Sequence, residues 1–186
     1  MPVVARDLGK TVSMAPNTIA SRWRPAHQSL VKWTSIPLRL IVGYGFLAHG
    51  IAKALRGYDA FPSILAQMGM PAPHLLGWAT ILVEILGGIA VILGAFVTIV
   101  SVPMTVVLIV AIFTVHTQYG FSSIKLLAVT TAGAQFGPPG YETDLLYLAC
   151  IAALIMNGPG PWSVDGFLKA RGSSSRNPGS TRQEFG

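Results

Sequence analysis

The chain has 186 residues, of which 52% are apolar and only 11% are charged. Soluble domains carry about 25% charged residues, so this composition excludes an ordinary soluble enzyme and a disordered chain. The net charge of +6 comes largely from Lys and Arg in residues 1–34 and 165–186, outside the apolar segments. Because these cations form no basic face with interleaved aromatic residues, we expect no nucleic-acid partner.

The chain holds a single cysteine, Cys150, surrounded by apolar residues. One thiol excludes an intrachain disulfide, a CxxC redox pair and a cysteine-based zinc or iron–sulfur site. We therefore predict no metal site. Any redox chemistry has to come from a bound cofactor or from a partner.

Two polar segments flank the apolar part of the chain. Residues 1–34 mix proline, serine and basic residues, and residues 169–186 are rich in glycine, serine and arginine. The first segment lacks the apolar core and the cleavage site of a secretory signal. Since positive charge beside apolar spans stays on the cytoplasmic side, we predict a basic, flexible cytoplasmic tail at 1–34 and a disordered cytoplasmic tail at 169–186.

Four apolar segments between these tails predict four membrane-spanning helices. A span of about 20 residues forms about 30 Å of helix, which matches a bilayer core. The apolar run over residues 75–115 is twice that length, and Gly94 suits the reversal that divides it. The predicted spans are residues 36–55, 75–93, 97–115 and 139–157.

An even number of spans places both basic tails on one side of the membrane. We therefore predict an all-α, multi-pass integral membrane protein. Residues 35–168 form a four-transmembrane-helix bundle with both termini in the cytoplasm. The loops at 56–73 and 117–138 then lie outside. Besides the lipid bilayer, a protein partner is expected, and a homo-oligomer is left open.

Ionisable side chains inside the apolar spans carry the functional information. Each costs about 2.5–3.5 kcal/mol at a helix centre, so each needs a partner or a water-filled cavity. His49 and Lys53 are four residues apart and share a helix face. We expect Asp144 to be a solvated neighbour. The predicted topology brings five ionisable residues together in the outer half of the bundle, namely His49, Lys53, Glu84, His116 and Glu142.

These five residues predict a polar site that exchanges protons. We assign proton exchange to Glu84, His49 and Glu142, and hydrogen bonding to a ligand carbonyl to Lys53 and His116. A second interpretation stays open for Glu84, in which it pairs with Lys53 or His49 only to hold helices together.

Two further charged residues predict a structural role on the cytoplasmic side. Arg39 lies near the cytoplasmic end of the first span, and Asp165 follows the last span on the same side. We expect Arg39 either to extend its side chain to the interface or to meet Asp165.

The ordered set of these residues resembles the DoxX family over residues 36–168. The elements that carry the resemblance are Arg39, His49-Gly50 and Lys53 in the first span, Gly69-Met70-Pro71 before the second, Glu84 with Gly87-Gly88 and Gly94 inside it, His116 closing the third, Tyr141-Glu142 opening the fourth, and the sequence from Gly158 to Asp165 after it.

The resemblance implies a four-helix bacterial inner-membrane protein. Named members of the family are associated with thiosulfate:quinone oxidoreductase and terminal quinol oxidase complexes, and others with membrane assemblies that handle oxidative or thiol stress. It therefore implies a quinone-linked redox subunit, with quinone or quinol as the expected cofactor. Two alternatives remain: a non-catalytic membrane anchor for a soluble partner, and a small-solute or proton-coupled transporter.

Overall fold

A computed structural model describes residues 31–174, which form helices joined by turns and one β-hairpin. The elements are α1 (Ser35–Leu55), α2 (Ala60–Gln67), α3 (Pro73–Leu93), α4 (Val97–Ala111), β1 (Leu126–Thr130), β2 (Gly133–Phe136), α5 (Glu142–Asn157) and α6 (Val164–Ser174). The helical path of α4 continues through a π-helical turn, Ile112–His116, and a 3-10 turn, Thr117–Tyr119.

Among residues 31–174, three helices are long and apolar enough to cross a membrane. They are Val31–Leu55, Pro73–Leu93 and Val97–Tyr119, and they coincide with the first three predicted spans. The predicted reversal at Gly94 is confirmed, because this glycine follows α3 with a φ of 65°. Glycine adopts this left-handed conformation without a Cβ clash.

The fourth predicted span is shorter than expected. Helix α5 starts at Glu142 rather than at residue 139 and has 16 residues, which gives about 24 Å of helix against a bilayer core of about 30 Å. Its first amides are already bonded: Tyr141 N donates to Gly120 O (3.2 Å) and Glu142 N to Phe121 O (3.0 Å). The loop before α5 therefore fixes where the helix begins.

The all-α prediction is wrong for one segment. Inside the predicted loop 117–138, β1 and β2 pair as an antiparallel hairpin. The sequence contains the signal for it, since a Val-Thr pair precedes a tight turn and Gly133 follows with a φ of 118°. The other predicted loop, 56–73, also contains structure, the short helix α2.

The predicted tails lie mostly outside the described residues, which exclude 1–30 and 175–186. Two parts of that prediction are corrected. Residues 31–33, assigned to a flexible tail, are helical and open the candidate span Val31–Leu55, and residues 169–174, assigned to a disordered tail, form the end of α6. Helix α6 starts after the sequence Gly158–Ser163 and is joined to the α3–α4 turn by a backbone hydrogen bond from Asp165 N to Gly94 O (3.0 Å).

The core lies where α1, α3, α4 and α5 meet. Its buried apolar residues come from all four helices and include Val42, Phe46, Val91, Met104, Ile151 and Leu154. Helices α1 and α3 approach most closely at Gly43 and Gly88, where a Cβ on Gly88 would lie 2.7 Å from Gly43 O. Small residues at this crossing let the two backbones touch, which stabilises helix pairs in lipid.

The bundle has two distinct ends. We call the end with residues 56–72 and 117–141 the hairpin end, and the end with residues 32–39, 94–97 and 158–166 the clamp end. Helices α1 and α4 run from the clamp end to the hairpin end, and α3 and α5 run back. The predicted polar site belongs to the half of the bundle next to the hairpin end.

Candidate functional site

An ion pair joins α1 to α3 in the half of the bundle near the hairpin end. Lys53 Nζ donates a hydrogen bond to Glu84 Oε1. The helices are close enough because Gly50 faces α3, where an added Cβ would lie 2.9 Å from Glu84 Cβ. Glu84 is only 5% exposed, so its charge is compensated by Lys53 rather than by water.

An aromatic ring of α2 lies beside this ion pair. Lys53 Nζ lies 4.7 Å from the ring centroid of Phe61, a distance at which a cation is attracted to the face of the ring. Helix α2 is held in place by Pro62, which is buried against Gly77 of α3. A separate ring contact joins Tyr58 before α2 to Trp78 of α3, with ring centroids 5.2 Å apart.

One oxygen of Glu84 has hydrogen-bonding capacity left. Within residues 31–174, Glu84 Oε2 is buried and has no hydrogen-bond partner. A buried carboxylate oxygen without a donor is costly. It is also the atom that would accept a proton or a ligand hydroxyl. Lys53 has three N–H groups, and one of them is directed at Glu84 Oε1.

A second polar pair joins α4 to α5. His116 Nδ1 is hydrogen-bonded to Asp144 Oδ2, and Asp144 is 6% exposed. The expectation that Asp144 is a solvated neighbour is therefore wrong. The sequence signal was the helical spacing of Asp144, Tyr147, Leu148 and Ile151, which places the carboxylate on the face that packs into the bundle. The π-helical turn Ile112–His116 carries the histidine partner.

Glu142 and His49 do not join either pair. Glu142 Oε2 accepts a hydrogen bond from Ser123 N (2.9 Å), which ties the preceding loop to the start of α5. His49 is exposed on α1, one turn from Lys53 and one turn from Gly45. Gly45 faces the hydroxyl of Tyr147 on α5, so His49 lies on the side of α1 toward α5.

The five predicted residues are thus not joined by one hydrogen-bond network among the described residues. Lys53 and Glu84 meet between α1 and α3, whereas His116 pairs with Asp144 between α4 and α5. Counting residues along each predicted helix placed these side chains in the half of the bundle next to the hairpin end, and helical periodicity indicated their faces. It could not decide which helices are neighbours, because that depends on tertiary packing.

The clamp end is held by the two residues predicted to be structural. Arg39 is buried and donates to the carbonyls of Pro159 (2.7 Å), Pro161 (3.3 Å) and Trp162 (3.1 Å). Asp165 accepts from the amides of Phe96 (2.7 Å) and Val97 (3.1 Å) at the start of α4. Each residue therefore bonds to backbone, whereas the sequence suggested that Arg39 could meet Asp165.

Comparisons with known proteins agree with the membrane architecture. The model of the DoxX family matches residues 35–117, which contain α1 to α4 with Arg39, Lys53 and Glu84. The uncharacterized membrane protein Rv3486 of Mycobacterium tuberculosis is 30% identical over 146 residues, covering 75% of this chain and 83% of that protein. No solved structure matches the chain significantly. The family match and this relative together show that the chain is a membrane protein that belongs to the DoxX family.

Proposed function

We propose that this protein is a quinone- or quinol-linked subunit of a membrane oxidoreductase complex. The observation that carries the proposal is Glu84 Oε2, a buried carboxylate oxygen without a partner among the described residues. It lies on a helix long and apolar enough to cross a membrane. Ionisable groups at such positions are rare, and they mark proton or ligand sites more often than packing positions.

The residues around Glu84 fit a ring that carries carbonyl or hydroxyl oxygens. Lys53 is partly exposed and has N–H groups beyond the one directed at Glu84. Phe61 supplies aromatic surface beside it. A bound quinone or quinol would supply two-electron, two-proton redox chemistry. Lys53 Nζ would donate to a ring oxygen, and Glu84 Oε2 would hold or return a proton.

The other polar groups have separate roles under this proposal. His116, oriented by Asp144 at the hairpin end, would pass protons between the bundle and the aqueous side. His49 is exposed on the helix face that also carries Lys53 and would contact the same ligand. Glu142 would set the position of the loop and not the chemistry. Electrons would come from a partner subunit or directly from a substrate.

The proposed topology has four crossings, with both tails in the cytoplasm of a bacterium. Helix α5 is short, but Ile151 and Leu154 pack in the core with α1 and α4, and Leu146 and Met156 are exposed as lipid-facing residues would be. Residues 138–141 and 158–161 would complete the crossing. Lys32, Lys169 and Arg171 then lie on the cytoplasmic side, as positive charge beside membrane helices requires.

Mass spectrometry of bound lipids tests the proposal. The protein is purified in native-lipid nanodiscs as wild type and as Glu84→Gln, and the quinone content is measured per protein. We expect near-stoichiometric quinone in the wild type and at least a fivefold loss in Glu84→Gln. Asp59→Asn, which changes an exposed carboxylate on the α1–α2 connection, is the control and should retain quinone. Equal quinone content in wild type and Glu84→Gln would contradict the proposal.

A membrane anchor for a soluble redox partner is the second candidate. The observation that favours it is that the Lys53–Glu84 ion pair and the His116–Asp144 hydrogen bond each join neighbouring helices within the chain, which is sufficient for a purely structural role. In that case no quinone is enriched, and one soluble protein co-purifies equally with the wild type and with Glu84→Gln.

A further inference from the structure

The β-hairpin at the hairpin end has no partner in the described chain. All nine residues of β1 and β2 are exposed, so neither face of the hairpin is covered by another element of residues 31–174. An isolated two-stranded hairpin is only marginally stable in water. A surface that supports this hairpin is therefore expected.

The pairing register makes the hairpin amphipathic. Leu126 pairs with Phe136 and Ala128 with Gln135, so Leu127 is an extra residue in β1. Because neighbouring pairs point to opposite faces, this bulge gathers three of the four large apolar residues on one side. The apolar face comprises Leu126, Val129, Ala134 and Phe136. The polar face comprises Ala128, Thr130, Gly133 and Gln135, together with the exposed bulge residue Leu127, whose side chain lies against Gly137.

The apolar face is strongly exposed. Leu126 is 58%, Val129 76% and Phe136 58% exposed. Large apolar residues that are clustered and exposed mark contact surfaces. Between Gly120 and Gly140 the segment carries one charge, Lys125, so nothing in it favours a charged partner.

The hairpin is attached at the level where the membrane helices end. The residues before it are bound to the residues after it, with Gly140 N donating to Ser122 O (3.0 Å) and Gly137 N to Lys125 O (2.8 Å). Between α4 and the hairpin, exposed apolar residues (Phe113, Phe121 and Ile124) alternate with exposed polar ones (Thr114, Thr117 and Gln118). The hairpin therefore follows directly on the candidate span Val97–Tyr119, where the membrane-spanning part of this segment ends.

The size of the apolar face distinguishes the bilayer from a protein partner. Four side chains of this kind present on the order of 300 Å² of apolar surface. Each partner in a stable protein interface buries about 800 Å², so this face alone is too small for a stable dimer. Insertion into a membrane interface needs no such minimum, since each apolar side chain contributes separately.

We propose that the β1–β2 hairpin lies on the membrane with Leu126, Val129 and Phe136 inserted into the interface of the adjacent lipid leaflet. The polar face with Thr130 and Gln135 is directed at water. Lys125, at the base of the hairpin, reaches the lipid head groups. This placement depends on the membrane nature of the chain and not on quinone binding.

Fluorescent labels on the two faces test this placement. In a Cys150→Ser background, Val129→Cys on the apolar face and Gln135→Cys on the polar face are each labelled with an environment-sensitive dye. The full chain is then placed in phosphatidylcholine nanodiscs with lipids that carry a spin label on the acyl chain. We expect quenching at Val129→Cys to be at least twofold stronger than at Gln135→Cys. Quenching by aqueous iodide should instead be stronger at Gln135→Cys than at Val129→Cys.

Two additions cover ambiguous results. One is a second pair of labelled positions, and the other is a series of nanodiscs with fewer copies of the chain in each. Leu126→Cys and Thr130→Cys repeat the comparison if either first variant unfolds. Equal lipid quenching on both faces would overturn the proposal. A blue-shifted but unquenched label on the apolar face would also overturn it. If that signal vanished at one chain per nanodisc, a second copy of the chain would be the occupant instead.

Discussion

Lys53 of α1 and Glu84 of α3 form an ion pair in which the two partners are unequally exposed. Glu84 is buried, whereas the Lys53 side chain is 24% exposed at the edge of the bundle. Lys53 can therefore meet solvent or a ligand, while Glu84 depends on Lys53 for its charge compensation. This asymmetry predicts different consequences for removing each partner.

Removing Lys53 should destabilise the bundle more than neutralising Glu84. In Lys53→Met the buried carboxylate loses its counter-charge, and breaking a buried pair costs about 3–5 kcal/mol. We expect a cost near the lower limit because Lys53 is partly exposed. Glu84→Gln keeps an oxygen that can accept from Lys53, and we expect about 1 kcal/mol.

A double-mutant cycle measures this difference. Equilibrium unfolding in detergent micelles is compared for the wild type, both single variants and the combined variant. The combined variant should be more stable than Lys53→Met alone, since it leaves no buried charge without a partner. Additive losses would contradict a direct energetic coupling of the two residues.

Alanine substitutions at Gly88 and at Gly87 should differ sharply in their effect on stability, although the two residues are neighbours on α3. A Cβ on Gly88 would lie 2.7 Å from Gly43 O and 2.7 Å from Leu47 N, which are backbone atoms of α1. A Cβ on Gly87 would meet only the flexible Met104 side chain, at 3.0 Å from Sδ. We expect Gly88→Ala to destabilise the protein by about 1–3 kcal/mol, as overpacking does.

Gly87→Ala is the matched control for that substitution. It gains helix propensity worth about 0.8–1 kcal/mol, which offsets the adjustment of Met104. Its thermal unfolding temperature in micelles should stay within a few degrees of the wild type. An equal loss of stability in Gly88→Ala and Gly87→Ala would show that α1 and α3 do not touch at Gly88.

Asp165 should slow hydrogen exchange at the amides at the start of α4. Asp165→Ala removes the acceptor for Phe96 N and Val97 N, and losing a helix N-terminal acceptor costs about 1 kcal/mol. Hydrogen exchange should become faster at these two amides. Asp165→Asn, which keeps one acceptor oxygen, should have a smaller effect.

Asp59→Ala controls for the loss of a carboxylate near a helix start. Asp59 precedes α2 but makes no side-chain hydrogen bond to that helix. Its removal should leave exchange at Phe96 and Val97 unchanged. The role of Asp165 would be refuted by unchanged exchange at both amides in Asp165→Ala.

Thiol labelling tests the proposed number of crossings. In a Cys150→Ser background, Ser63→Cys in α2 should react with a membrane-impermeant maleimide in intact cells. Ser174→Cys in α6 should react only after the cells are permeabilised, because four crossings place the two sites on opposite sides. Labelling of Ser174→Cys in intact cells would mean that α5 does not cross the membrane.

The sequence by itself determined the membrane class and the first three spans. The length of an apolar run is a local property of the sequence. Gly94 marks a reversal because glycine readily adopts the left-handed backbone conformation found there. The same local rules failed where the end of an element depends on another segment. Helix α5 begins at Glu142 because residues 120–122 accept hydrogen bonds from the amides of Gly140, Tyr141 and Glu142.

Sequence also placed the ionisable residues in the right half of the bundle, because their depth follows from counting residues along each helix. Only the tertiary structure decided the partners. Lys53 meets Glu84 because glycines bring α1 against α3, and His116 meets Asp144 because α4 packs beside α5. Helical periodicity fixes the face on which a side chain lies, whereas its neighbour depends on how the helices are packed.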